Sequence, residues 1–251
     1  MSLFVLLSGR SAMLLRCTLW TGVTILVLSL PARTQDRQVE QNVRVWFPYF
    51  GDHLFGDSRW GLHLEAQARL QGITQINQLV LRPGVNYQAN RSLMLTTGYA
   101  YVRLYPSITS ANPVPPRNEH RIWEQAWFRY GSGRVAWSTR LRFENRFIEG
   151  NNGQYRFENR VRVWQQATVP LSQRVYATGY DEVWFHVKPY QASSAFNQNR
   201  AYAALGFRLK PGWRLETGYM NQVLLVSSGR VLEVNHIVTF SVLSTATFRR
   251  K

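Results

Sequence analysis

Two stretches of this 251-residue chain repeat a pentapeptide in which a glutamate lies among arginines. The sequence RFENR occupies 142–146 and again 156–160, and Arg140 and Arg162 flank the two copies. Two carboxylates at a fixed separation are the groups that a glycosidase uses. One of them must stay protonated to act as the acid, whereas neighbouring guanidinium groups favour the ionised form. The repeat therefore predicts paired charges rather than acid–base catalysis.

The repeat belongs to a chain in which apolar and polar residues alternate with a period of two. From 60 to 71 every even position is apolar, and every odd position is polar or glycine. The same separation holds over 134–147 and 197–209, and weaker versions follow one another along the rest of the chain. This period is typical of β-strands whose two faces meet different environments. No stretch after residue 34 has the 3.6-residue period of a helix, so the fold is predicted to be all-β.

The length of the segments and the order of their connections predict a membrane barrel. Segments of about 12 to 16 residues exceed the usual strand and are long enough to cross a bilayer at a tilt. Tight turns alternate with longer links such as 105–118 and 188–197, as in outer-membrane barrels. We predict an antiparallel up-and-down transmembrane β-barrel. Eleven segments are recognisable, but such barrels have even strand numbers with both termini on one side, which predicts 10 or 12 strands.

The polar face of each strand must line the lumen if the apolar face meets lipid. Buried charges are tolerated when they pair with one another or meet water. Glu65, Arg69, Gln78, Arg82 and Glu216 lie on the predicted inner face. The predicted lumen-lining charge network consists of Glu119, Arg121, Gln125, Arg140, Arg142, Glu144, Arg146, Arg156, Glu158, Arg160, Arg162, Glu182, Arg200 and Arg208.

Two carboxylates do not follow the alternation. Glu124 and Asp181 fall on the apolar face of their segments, where a charge in mid-membrane is unfavourable. Because Asp181 is followed directly by Glu182, we expect a β-bulge there that turns one side chain away from lipid.

The N-terminal segment predicts export. Arg10 and Arg16 precede an apolar run at 18–30 that is short for a membrane span and is followed by small residues, as in a secretory signal peptide. The predicted domains are a signal peptide at 1–34 and a barrel at 35–251. Cys17 is the sole cysteine, so the exported chain has no disulfide. The predicted location is the bacterial outer membrane, with outer-membrane lipids and the barrel-assembly machinery as partners.

The histidines leave one alternative function open. No G-x-S-x-G elbow and no H-E-x-x-H pair occurs in the sequence, and we predict no enzyme, no cofactor and no metal site. A barrel enzyme acting on lipid or lipopolysaccharide can nevertheless combine residues from neighbouring strands. That alternative predicts a serine or carboxylate within hydrogen-bond reach of a histidine near a rim, open to the membrane. The pairs Glu119 with His120 and His186 with Ser193 are its candidates.

Several short motifs resemble one family of bacterial proteins. They are WGLHLEAQARL, EHRIWEQAWF, the two RFENR stretches, DEVWF, FNQNRAYAALGFRL and LETGYMNQ, and together they cover nearly all of the chain after residue 34. The sequence resembles domain-of-unknown-function family 2490, uncharacterised bacterial outer-membrane proteins. The resemblance implies an antiparallel outer-membrane barrel and supplies no activity, substrate or catalytic residue.

Charge then predicts the partner class and one strand register. The net charge is +16, which would ordinarily indicate nucleic acid, but export excludes that partner. An arginine-rich lumen favours anions, so we predict a small pore or a solute-binding barrel with a small anionic solute as partner. Within the repeat, pairing Glu144 with Glu158 would oppose like charges. We predict a register in which paired residue numbers sum to 304, or to 300, so that glutamates oppose arginines.

Overall fold

The alternating segments form eleven strands in the residues that the structure describes, which are 37–105, 115–187, 194–226 and 228–248 of a computed structural model. The predicted signal peptide at 1–34 and Ser193 lie outside these ranges. In the described ranges no helix is long and apolar enough to cross a membrane. The strands are β1 (Gln38–Leu54), β2 (Trp60–Gln71), β3 (Gln75–Gln88), β4 (Leu93–Leu104), β5 (Arg117–Ser132), β6 (Val135–Glu149), β7 (Tyr155–Pro170), β8 (Val175–Val187), β9 (Phe196–Lys210), β10 (Trp213–Leu225) and β11 (Val231–Ser244).

The eleven strands close into a barrel in which strands adjacent in sequence are antiparallel neighbours. β1 pairs with β2 in antiparallel fashion and with β11 in parallel, from Gln38 beside Val231 to Gly51 beside Ser244. The prediction of 10 or 12 strands is therefore wrong. An odd number closes because the parallel pair also satisfies the backbone groups of the two edge strands. Because β1 and β11 are parallel, β1 begins at one rim and β11 ends at the other. The expectation that both ends of the barrel lie on one side is therefore wrong.

The two faces of the wall differ as the alternation predicts. Leu62, Ile122 and Phe240 are among the large apolar side chains that are exposed on the outer face. Glu65 and Arg142 are fully buried on the inner face. Charged side chains are almost never fully buried unless they are paired, so the charges on the inner face must find partners within the barrel.

The two rims carry different connections. At one of them, called here the short-turn rim, the strands are joined by 55–59, 89–92, 133–134, 171–174 and 211–212. At the opposite rim, called the long-loop rim, they are joined by 72–74, 105–116, 150–154, 188–195 and 226–230. Gly133 and Gly212 have φ values of 59° and 77°, a left-handed conformation that glycine adopts without steric cost and that tight turns between antiparallel strands require.

The register of the RFENR hairpin is one of the two that charge predicts. Glu144 pairs with Arg160 and Arg146 pairs with Glu158 across β6 and β7, so paired residue numbers sum to 304. The prediction is confirmed, and the sum of 300 is excluded. Opposite charges occupy directly facing positions, where their side chains approach most closely.

The predicted bulge at Asp181 is wrong. Gln165 faces Asp181 and Trp164 faces Glu182 without interruption, and the register shift between β8 and β9 comes later, at Trp184 and Phe185. Asp181 stays on the outer face and accepts a hydrogen bond from the Asn199 amide. A local hydrogen-bond donor therefore takes the place of the bulge in satisfying this carboxylate.

An apolar cluster fills the inside of the barrel where its first and last strands meet. Trp46 of β1, Tyr202 of β9, Met220 of β10 and Ile237 of β11 pack together there. These residues supply the packing on the side of the interior next to the parallel pair of β1 and β11.

Candidate binding site inside the barrel

Glu144 of β6 is the centre of an ion-pair network inside the barrel and is 0% exposed. Arg160 donates from Nε to its Oε2 over 3.0 Å. Arg162 donates from Nη1 to its Oε1, also over 3.0 Å. Guanidinium nitrogens of Arg82 and Arg121 lie 3.7 and 3.8 Å from Oε1. One buried carboxylate therefore faces four cations. Arg160 and Arg162 come from β7, Arg121 comes from the other neighbouring strand β5, and Arg82 comes from β3, which is not adjacent to β6.

The network continues toward the long-loop rim through two more glutamates. Glu119 accepts from Arg121 over 2.8 Å and from Arg146 over 2.6 Å. Arg146 also donates to Glu158 over 3.1 Å, and Arg156 lies 3.3 Å from the same glutamate. Arg146 thus bridges β5 and β7, which are not adjacent strands.

Glu182 of β8 extends the network in the other direction around the barrel. It accepts from Arg140 over 2.8 Å and from Arg162 over 2.7 Å, and Arg200 lies 3.9 Å away. Arg162 therefore connects Glu182 with Glu144. Hydrogen bonds between ions of this kind are about twice as strong as neutral ones.

Gln125 supplies a neutral acceptor for the most deeply buried arginine. Arg142 donates from Nε and Nη2 to Gln125 Oε1 over 3.0 and 2.7 Å. Its nearest carboxylate is Glu65, at 3.8 Å, and Glu65 itself is ion-paired with Arg82. The network thus joins residues of β2 and β3 to those of the RFENR hairpin.

Tryptophan rings complete the network, and the sequence predictions did not include them. The Trp184 ring centre lies 4.2 Å from the guanidinium carbon of Arg160, 3.9 Å from that of Arg162 and 4.2 Å from that of Arg200. Such cation–π contacts are strongest where water is excluded. The sequence did indicate that Trp184 lies on the inner face, because Trp184 comes two residues after Glu182 and so shares its face of the strand.

Trp123 fills the interior beside two glycines. Its side chain is 0% exposed, and a Cβ atom placed on Gly98 would lie 2.9 Å from its ring. A Cβ atom on Gly84 would lie 3.1 Å from the same ring. The absence of side chains at these two positions leaves room for the tryptophan ring beside β3 and β4.

Two of the predicted network residues lie away from its centre. The Arg156 side chain is 43% exposed and reaches the network only through Glu158. Arg208 is exposed near the short-turn rim, where it donates to the carbonyl oxygens of Ser172 and Gln173 over 3.3 Å. It forms no ion pair in the described part of the chain, because β9 extends to the rim at this point and turn carbonyls are the nearest acceptors.

The charged side chains in the middle of the barrel are buried. Glu65, Arg142, Glu144, Arg162 and Glu182 have exposures between 0 and 5%. A water-filled passage would wet the side chains that line it. At this height the described side chains therefore close the lumen.

Above this closure a cavity of about 560 Å3 opens at the long-loop rim. We call it the vestibule. Eight arginines and three glutamates line it among neutral residues. The arginines are Arg44, Arg69, Arg117, Arg121, Arg146, Arg156, Arg160 and Arg200, and the glutamates are Glu119, Glu158 and Glu233.

Some of the vestibule arginines are not neutralised by a carboxylate. Arg69 donates to Gln67 Oε1 over 2.8 Å and to Gln78, and its guanidinium carbon lies 4.0 Å from the centre of the Trp46 ring. Neither Arg69 nor Arg117 forms an ion pair with a carboxylate among the described residues. The vestibule thus combines fixed donors with unbalanced positive charge, which is what recognition of a small anion requires.

A histidine–carboxylate pair lies inside the barrel toward the short-turn rim. The ring Nδ1 of His63 and Asp52 Oδ1 are 2.8 Å apart, and the same oxygen accepts from Asn86 Nδ2 over 2.8 Å. His63 Nε2 is buried without a hydrogen-bond partner in the described residues. The barrel wall encloses the pair. The hypothesis of a lipid-acting enzyme requires a site that is open to the membrane, and this pair does not meet that requirement.

Of the histidine pairs offered for catalysis, His186 with Ser193 lies partly outside the described residues, and Glu119 with His120 does not form. Glu119 is buried inside while His120 lies on the outer face, because consecutive residues of a strand point to opposite sides. His120 instead contacts the hydroxyl groups of Tyr99 and Tyr155. In the described ranges no group of three or more histidine, cysteine, aspartate or glutamate residues has the arrangement of a metal site.

The fold and interior define a class of protein: a closed β-barrel with an apolar outer surface and a charged interior. A family model described as "Protein of unknown function (DUF2490)" matches residues 43–233, and the chain belongs to this family. The resemblance stated from the sequence is thereby confirmed.

Two similar proteins accompany the family match. An uncharacterized protein of Methylorubrum extorquens is 29% identical over 186 residues, which are 70% of this chain and 77% of that protein. A solved structure of the NanC porin has a TM-score of 0.47 at 11% identity and covers 76% of this chain and 92% of the porin.

Proposed function

We propose that the protein is an outer-membrane β-barrel that binds a small anionic solute in the vestibule from the long-loop side. The observation that carries the proposal is the vestibule lining of eight arginines against three glutamates. The proposed location in the bacterial outer membrane is supported by the outer face, where large apolar side chains such as Leu81 and Phe207 are exposed. Lipid is the environment in which such a surface is stable.

Binding is favoured over steady conduction because the interior is closed at the level of Glu144. In planar bilayers, we expect the folded protein to give no sustained channel current in the absence of a ligand. A stable ohmic conductance from monodisperse folded protein would contradict closure by the network and would favour the pore instead.

Calorimetric titration tests the anion site directly. The folded protein in a zwitterionic detergent is titrated with inorganic phosphate, and glycerol serves as the uncharged probe. We expect saturable binding of phosphate that weakens as salt is added, since ions compete for exposed positive charge. Absence of saturable binding at low salt, with folded protein verified, would overturn the vestibule as an anion site.

Variants locate the binding. Arg69→Gln and Arg117→Gln remove vestibule donors that have no carboxylate partner in the described residues, and each is expected to weaken phosphate binding about tenfold. The matched control is Arg134→Gln, which removes one arginine at the opposite rim. Equal weakening by Arg134→Gln would show that net charge, rather than the vestibule, governs binding.

The membrane location has its own test. Cell fractionation is expected to recover the protein only after detergent extraction of the outer membrane, and its gel mobility is expected to change on heating. Recovery in the soluble periplasmic fraction would contradict the location regardless of the titration result.

An enzyme acting on lipid or lipopolysaccharide is not favoured by the described residues. The carboxylate that hydrogen-bonds a histidine, Asp52, is enclosed with His63, so a lipid in the membrane has no direct access to it. We therefore propose a binding barrel rather than a catalyst.

A further inference from the structure

The connections of the short-turn rim share a feature that neither the vestibule nor the interior network explains. Each of the five carries one cation within it or directly beside it. These residues are called here the cationic collar, and they are Arg59, Arg91, Arg134, Arg174 and Lys210. In the same connections the single acidic residue is Asp57.

The collar differs from the interior in how its charges are satisfied. All five side chains are exposed, and none forms an ion pair with a carboxylate of the described residues. The cations of the long-loop rim are mixed in this respect: Arg44 is paired with Glu233 and Arg156 with Glu158, whereas Arg117 has no ion pair among the described residues. The collar charges are therefore free to interact with an external anion.

Aromatic side chains lie beside the collar on the outer face. Arg59 immediately precedes Trp60, which is 54% exposed, and the Lys210 Nζ atom lies 5.5 Å from the centre of the Trp213 ring. Near Arg134, Trp137 faces Tyr130 across β5 and β6. Aromatic rings at the level of lipid headgroups, with cations just beyond them, are typical of a membrane interface.

The spacing of the collar favours many separate anions over one. Neighbouring connections are two strands apart around the barrel, except where β11 adds a third strand between the β9–β10 and β1–β2 connections, so adjacent collar cations belong to hairpins about 10 to 15 Å apart. One small phosphate cannot bridge that distance, whereas a ring of headgroups can supply one phosphate to each cation.

We propose that the cationic collar binds the headgroups of anionic phospholipids in the leaflet at the short-turn rim. Because the collar meets lipid only in a bilayer, this role rests on the membrane location proposed above and is independent of anion binding in the vestibule. The collar then fixes the depth of the barrel and enriches anionic lipid around one end of it.

Spin-labelled lipids test the collar. The full chain is reconstituted in phosphatidylcholine vesicles containing a trace of spin-labelled phosphatidylglycerol or spin-labelled phosphatidylcholine, and the motionally restricted fraction of each is measured. Wild type is expected to favour phosphatidylglycerol about fivefold at low salt, which is the effect of roughly one cation per headgroup. The preference should fall toward onefold in 1 M salt, as screening of exposed charges requires.

The experiment distinguishes failure of the proposed membrane location from failure of the proposed lipid binding by the collar. If neither labelled lipid is restricted by folded protein, the membrane location is wrong. If both are restricted equally at low salt, the location stands and the collar proposal is overturned.

Matched triple variants assign the preference to one rim. The preference for phosphatidylglycerol is expected to disappear in the collar variant Arg59→Gln/Arg134→Gln/Arg174→Gln. It is expected to remain in the control variant at the long-loop end, Arg37→Gln/Arg103→Gln/Arg230→Gln. Equal loss in both variants would overturn the collar and indicate a response to net charge. If a triple variant does not fold, the corresponding single variants, each expected to lower the preference by a measurable fraction, decide the same question.

Discussion

The two sides of the barrel interior are filled by different chemistry. On β5–β8 the space is occupied by buried ions around Glu144. On β10, β11 and β1 it is occupied by Met220, Ile237 and Trp46, with neutral polar side chains such as Asn235 and Thr239 beside them. A buried ion needs every partner in place, so the charged side depends on each of its members. Apolar packing weakens in proportion to the atoms removed. The comparison predicts that equally small changes have unequal effects on the two sides.

The largest effect is expected from Glu144→Gln. The change keeps the shape of the side chain but removes the charge that faces Arg160 and Arg162. Arg162 keeps its ion pair with Glu182, whereas Arg160 loses its carboxylate partner among the described residues, and leaving a buried cation unpaired typically costs about 3–5 kcal/mol. Urea unfolding in lipid vesicles measures the change in the free energy of unfolding. A loss below about 1 kcal/mol would show that the guanidinium groups are neutralised by other partners or by water.

Glu124→Gln is the matched control for that variant. Glu124 is exposed on the outer face of β5, so loss of its charge is expected to leave the free energy of unfolding unchanged or to raise it, since a carboxylate is unfavourable next to lipid. A destabilisation equal to that of Glu144→Gln would mean that the two faces had been assigned incorrectly.

On the apolar side, Ile237→Val is expected to lower the free energy of unfolding by about 1 kcal/mol. Ile237 is 0% exposed and packs within the apolar cluster, and removal of one buried methylene has a cost of this size. The same urea titration checks it. A loss as large as that of Glu144→Gln would erase the difference between the two sides.

A smaller effect is expected on the outer face where β1 meets β11. Phe47 and Phe240 stack there with ring centres 5.7 Å apart, and Phe240→Leu should cost about 0.5 kcal/mol through loss of that contact. Phe185→Leu is the control, because Phe185 lies on the outer face without a ring partner among the described residues. Equal effects would show that lipid contact, not stacking, sets the cost.

The smallest quantity is the coupling between the two sides. Glu144 and Ile237 share no partner among the described contacts, so the double variant should equal the sum of the single variants within about 0.5 kcal/mol. A double-mutant cycle from the same unfolding data gives this term. Larger coupling would indicate that the interior responds as one unit.

Local pattern predicts the strands, their faces and the hairpin register, because all three depend on residues close in sequence. Glu144 faces Arg160 as charge complementarity requires. Closure by eleven strands was not predictable in that way, since pairing of β1 with β11 is decided by the two ends of the chain. The interior role of Trp184 was missed because only polar and charged side chains were assigned to the lumen, although the position of Trp184 relative to Glu182 indicated the inner face.

The candidate site was predicted in part. The arginines and glutamates of the RFENR hairpin lie inside, but which of them are neutralised depends on strands far away in sequence, as with Arg82 beside Glu144. Arg69 lies near two side-chain amides, whereas Arg146 lies near two carboxylates. The excess positive charge of the vestibule depends on this difference between its arginines. Periodicity predicts which face of the sheet a side chain lies on, but it does not predict which residue the side chain contacts.

The parallel pairing of β1 with β11 limits how the chain can be rearranged. In a barrel with an even number of strands, the first strand begins beside the end of the last, and a short linker can join them in a circular permutant. Here those two points lie at opposite rims, separated by the length of a strand of 14 residues, or about 46 Å before tilt. A linker would have to cross the full height of the wall, so a short linker cannot join the two ends of this barrel.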